Sequence, residues 1–140
     1  MNYYITDTNG KTYIKISFKL AGKDIGFDDI TNKMKLTPTV TKKEADYPDI
    51  VKDADIRKDL WIFSTCYNES LLVAEEIEKI LHTIFDKIEV INELKKKHNM
   101  TSTLIISIQA NTKPYPLIPL RCIEFAYKTN TEIEFNPYYY

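Results

Sequence analysis

Residues 12 to 20, Thr-Tyr-Ile-Lys-Ile-Ser-Phe-Lys-Leu, alternate without a break. Ile14, Ile16, Phe18 and Leu20 fall on one side, and Lys15, Ser17 and Lys19 on the other. A period of two built from β-branched and aromatic residues is a strand with one buried face and one wet face. That constrains the rest of the chain. The sheet holding this strand buries one side only, and the layer covering that side has to come from other segments.

Helical segments with apolar stripes supply that layer. Val73, Ile77, Ile80, Leu81, Ile84 and Ile88 recur at three and four, the period of an amphipathic helix. Asn68 or Ser70 can cap this helix, and Glu75 and Glu76 suit its positive N-terminal end. A second short helix follows on Val90, Ile91 and Leu94 and closes with Lys95-Lys96-Lys97-His98. Phe27, Ile30 and Met34 mark an earlier helix with Asp28 and Asp29 in its first turn. It stops ahead of Pro38, since the residue before a proline is pushed out of the α region. Residues 120–128 read as a last helix, with Cys122, Ile123, Ala126 and Tyr127 on its apolar stripe and Asn130 ending it.

Further strands are expected at Leu60 to Tyr67, Thr103 to Ala110 and Thr131 to Phe135. The first opens on the near-continuous run Trp61-Ile62-Phe63, which places it centrally with both faces buried. Tyr3 to Thr6 is expected to pair with the first strand across Asn9-Gly10. Residues 39–59 are polar and acidic and read as a long loop. The expected fold is α+β: a four-stranded, mainly antiparallel sheet with helices packed on one face. The repeated strand–loop–helix pattern suggests a βαβ duplication in a ferredoxin-like arrangement, with residues 1–140 as a single domain.

The composition agrees with one globular core. The chain has 140 residues, of which 44% are hydrophobic and 28% charged, ordinary proportions for a domain of this length. Nineteen basic against twenty acidic residues leave a net charge of -1, which excludes a broad electrostatic mode of nucleic-acid binding. No basic segment followed by an apolar core opens the chain. Apolar runs such as Leu104-Ile105-Ile106 fall far short of the roughly 20 residues that span a bilayer. The expected location is the cytoplasm, with Cys66 and Cys122 as free thiols.

Several of these elements together resemble a known family. They are the alternating strand near the start, the segment Leu36-Thr37-Pro38 after the first helix, and the turn Lys42-Lys43-Glu44. A single tryptophan, Trp61, opens a strand, the long helix runs from Leu71 to Phe85, and the last strand, Ile133 to Tyr138, ends in tyrosine. In this the chain is similar to the bacterial family of domains of unknown function numbered 4279. The resemblance implies a fold and no catalytic residues, because the family has no settled activity.

The residues that carry chemistry elsewhere lack the required spacing here. His82 and His98 have no Cys, His or carboxylate partners at ligand spacing. Gly22-Lys23-Asp24 is not a phosphate loop, since Ser17 stands where the earlier glycine belongs and Asp24 where Ser or Thr belongs. Asp53, Asp55 and Asp59 imitate a calcium loop, but Arg57 occupies a ligand position. Lys95, Lys96 and Lys97 read as a solvated helix end. No cofactor, metal, nucleic-acid or membrane partner is expected.

The excess that stands out is tyrosine, ten against six phenylalanines. Tyrosine buries area while keeping a polar tip, and it is enriched at interfaces. The expected partner surface comprises Tyr47, Asp49, Asp53, Asp55, Tyr138 and Tyr139. The expected function is a non-enzymatic binding protein, concretely an immunity-type protein neutralising a cognate toxin. The alternatives are a small-ligand carrier or enzyme with a cleft between sheet and helices, and a structural homodimer that covers the bare sheet face.

Overall fold

The structure, a computed structural model, describes residues 10–48 and 58–139. The expected pairing of Tyr3 to Thr6 lies outside these residues. The elements run β1 (Thr12–Gly22), α1 (Phe27–Met34), β2 (Val40–Lys42), β3 (Asp59–Ser64), β4 (Asn68–Glu69), α2 (Val73–Ile84), α3 (Ile88–His98), β5 (Thr101–Ala110), α4 (Leu120–Thr129) and β6 (Thr131–Tyr139). A short 3-10 turn at Phe85–Lys87 separates α2 from α3, where the apolar repeat weakens at Asp86-Lys87.

The class is α+β, but the sheet is not the four-stranded, mainly antiparallel, ferredoxin-like one. It has six strands in the order β2-β3-β1-β5-β6, with β4 also on β1. The pairing is mixed, because β6 lies parallel to β5 while β3 and β5 run antiparallel to β1. Period-two alternation fixes which way side chains face and says nothing of which strand lies beside which. The expected βαβ order holds for β5–α4–β6, whose strands are parallel, and fails for the first half, where β3 runs antiparallel to β1. Two strands were also missed: β2, inside the segment read as loop, and β4, beyond the end of β3.

β1 is the central strand, with Ile14, Ile16, Phe18 and Leu20 entirely buried. β3 lies one place nearer the edge, and only Trp61 of its opening run is buried, while Ile62 and Phe63 are half-buried. Ser17 pairs with Ser64 but Ile14 with Asn68. Lys15 and Ile16 on β1 thus stand opposite the three residues Thr65, Cys66 and Tyr67, one residue extra, which is a β-bulge that joins β3 to β4. The Thr65 hydroxyl accepts a bond from the Ile16 N–H at 3.0 Å within it.

The helices cover the face that carries Ile14 to Leu20. Phe18 meets Phe125 of α4 edge to face at 5.7 Å between ring centroids, and the Trp61 indole N–H donates to Thr31 Oγ1 of α1 at 3.1 Å. α3 and α4 end at Asn99 and Asn130, both left-handed, at φ 53° and 50°, a conformation asparagine tolerates better than most residues. No helix among the described residues is long and apolar enough to cross a membrane.

Candidate functional site

Of the predicted partner surface, the structure describes the side chains of Tyr47 and Tyr138. Tyr47 sits beside β2 with the Lys42 ammonium 4.1 Å above its ring. Tyr138 is exposed on β6, at the opposite edge of the sheet. Asp49, Asp53 and Asp55 lie outside the described residues, as does the Tyr139 side chain. Asp59, the last member of the calcium-like series, is buried and accepts the Glu44 N–H at 2.7 Å. It fastens the turn after β2.

The structure instead gathers an apolar surface where α2 begins. Neither Asn68 nor Ser70 caps α2, whose N-cap is Leu72. The proline-interrupted segment after β5 does that work. Tyr115 donates its N–H to the Leu71 carbonyl at 2.7 Å, and its own carbonyl accepts the Val73 N–H at 3.2 Å. These two bonds hold Leu71, Leu72 and Tyr115 side by side and outward, at 53%, 42% and 62% exposure. Leu71 and Leu72 line a depression of about 690 Å³ with Thr12, Thr112 and the carboxylates Glu69 and Glu75. Lys11 lies 3.7 Å from Glu69. The sequence signal for this site was the dipeptide Leu71-Leu72 placed ahead of the first buried position of the helix.

α4 departs from expectation in the same direction. Its buried residues are Cys122, Phe125, Ala126 and Thr129. Ile123 and Tyr127, assigned to the core stripe, are exposed. Burial pushes the Cys122 thiol up to about 11, which leaves it protonated and unreactive.

The face of the sheet away from the helices carries polar side chains from β1, β3 and β5. Ser17, Ser107 and Gln109 are buried there. The Lys15 ammonium lies 4.9 Å from the Tyr67 ring centroid, and burial lowers its pKa. Gln109 Nε2 donates to the Tyr67 hydroxyl at 3.3 Å, and burial raises the phenol's pKa. Ser64 and Ser17 share a hydroxyl bond of 2.7 Å. His98 is engaged on the other side of the molecule, 2.8 Å from Asp29. No group of three or more His, Cys, Asp or Glu among the described residues could hold a metal ion.

The arrangement defines a small α+β domain with a six-stranded mixed sheet, helices on one face, and exposed apolar side chains around the proline segment and α4. The chain belongs to the family described as domain of unknown function DUF4279, whose sequence model matches residues 11–140. Comparison with curated proteins and with solved structures finds no match.

Proposed function

We propose that the protein is a bacterial, cytoplasmic binding protein and not an enzyme, and that it acts by contact with another protein. The observation that carries this reading is the surface at the start of α2. Leu71, Leu72 and Tyr115 are held outward by backbone hydrogen bonds to the proline segment. Apolar side chains clustered at the surface mark interaction sites, and a rigid, half-exposed tyrosine beside leucines is the composition of an interface centre. Glu69 at its margin is paired with Lys11, and Glu75 favours a partner with a basic residue beside an apolar anchor. A basic nuclease toxin has that chemistry, which makes immunity to such a toxin the concrete form of the proposal.

The test is affinity capture from the native host with wild-type protein beside Leu72→Glu and Tyr115→Ser variants. A true partner is retained by the wild type and lost by both variants, and it is toxic when expressed without this protein. A protein captured equally by all three sinks the site. The rival reading, a small-ligand carrier, rests on the same depression, whose volume falls in the roughly 300–1,000 Å³ range of ligand sites. Native mass spectrometry of freshly purified protein separates the two, because a carrier shows a bound small molecule that the Leu72→Glu variant loses.

A further inference from the structure

α4 holds more apolar residues than its buried face uses. That face is Cys122, Phe125, Ala126 and Thr129. Leu120, Ile123 and Tyr127 stand at i, i+3 and i+7 and are 82%, 50% and 86% exposed. At about 100° per residue, Leu120 and Tyr127 stand roughly 150–170° round the helix from the middle of the buried face, and Ile123 roughly 110°. The stripe therefore looks away from the sheet, on the outside of the helical layer. Leu117, three residues ahead of Leu120 in the chain, is itself 50% exposed.

These four side chains expose on the order of 500 Å² between them, taking ~200 Å² per large side chain. The largest apolar patch of a typical monomer is roughly 300–600 Å² and often has a function. The area also matches what an interface requires. A stable one covers roughly 800 Å² per partner, of which about 57% is apolar, close to the area exposed here.

The charges of α4 are already paired within the chain. Arg121 Nη1 is 3.0 Å from Glu78 Oε2 of α2, and Lys128 Nζ is 3.3 Å from Glu124 Oε2. The Arg121 guanidinium also lies 4.6 Å from the centroid of the Phe85 ring. A strongly basic or acidic partner finds no unpaired charge on this helix to meet. That separates the stripe from the surface at the start of α2, where Glu75 favours a basic residue. A neutral apolar stripe is best matched by another of the same kind.

We propose that a second copy of this chain covers the stripe, with the two α4 helices packed antiparallel about a two-fold axis beside Ile123. Leu120 of each copy then lies over Tyr127 of the other, because the two residues stand at nearly equal distances on either side of Ile123. One surface thus serves both partners, and the positive end of each helix lies beside the negative end of the other. Glu124 keeps its own Lys128, so the flanks bring together ion pairs and not bare carboxylates. The contact uses neither edge of the sheet.

Sedimentation of the full chain tests the proposal. Interfaces of this area hold at micromolar concentrations or below, so at about 100 µM the wild type should run at twice 16.4 kDa. The double variant Leu120→Glu, Tyr127→Glu changes exposed side chains only. It should keep its far-UV circular dichroism and weaken the dimer about a hundredfold, at tenfold or more per interface centre residue. A second readout leaves both of those side chains in place. In a Cys66→Ser background, where the remaining Cys122 is buried, Ile123→Cys should be bridged to its copy by a bismaleimide. A reagent about 10 Å long suffices, since packed helices lie roughly 8–10 Å apart axis to axis. Val40→Cys in the same background, on β2 at the far end of the sheet order, should not be bridged. A wild type that stays monomeric overturns the proposal, and the stripe then belongs to a different protein. A dimer that survives the double variant overturns it too, as does bridging at 40 and not at 123.

Discussion

Trp61 has no exposed surface, and its N–H reaches the Thr31 hydroxyl. The ring joins α1 to β3 and its hydrogen bond leaves no polar atom stranded. Removing a buried tryptophan typically costs roughly 3–5 kcal/mol, so Trp61→Ala should lower the denaturation midpoint steeply. A variant that melts like the wild type would place the ring outside the core. Asp29 works differently. Hydrogen bonds from Lys97 and His98 hold its carboxyl far below the usual 3.8, so it ties α1 to the end of α3 as a charged group. A depressed folded value gives stability that is present above the unfolded pKa and lost as pH falls through the folded one. Asp29→Asn should therefore be less stable than wild type at neutral pH, and the difference should shrink below about pH 4. Urea midpoints over that range check it, and a constant difference would show that the carboxylate's charge is not what matters.

At the scale of elements, what was legible is what local pattern controls. β1, β5 and α1 to α4 stand where alternation or a three-four repeat placed them, because one buried face forces that pattern on the sequence. β2 has three residues, all of them exposed or half-buried, and so carries no periodic signal. β6 runs on through Pro137 to Tyr139, since an edge strand tolerates a proline that an inner one does not. The α4 stripe was misassigned because two apolar faces on one helix are indistinguishable until the neighbours are known. Partner residues were harder still, since an outward leucine looks the same in sequence as an inward one. Lys95 shows a further link that no pattern reveals. Its ammonium reaches the Thr129 and Asn130 carbonyls at 2.5 and 2.9 Å, and Ser102 Oγ at 2.7 Å. A cation on the open carbonyls of a helix C-terminus is favourable, and hydrogen bonds to charged groups are worth about 1.5–3 kcal/mol. Lys95→Met should lose an amount of that order, whereas Lys96→Met, at an exposed neighbour, should lose almost nothing. Equal effects would mean that general charge at the end of α3 matters more than the α4 cap.

The buried side chains form one cluster, from Ile30, Met34 and Trp61 under α1, through Phe18 and Leu104 in the central strands, to Cys122 and Phe125 under α4. Nothing in that sequence of contacts divides the described residues, and a small unit built on one core usually unfolds in one step. Two probes lie on opposite sides of β1. Trp61 is the only tryptophan, and its fluorescence reports the β2–β3 side. Cys122 is fully buried, and its reaction with a thiol reagent reports the α4–β6 side once Cys66, the exposed thiol, is replaced by serine. The two should change at the same denaturant concentration, together with the helical circular dichroism. If Cys122 becomes reactive first, α4 and β6 open as a separate unit and the shared core is weaker than its contacts suggest.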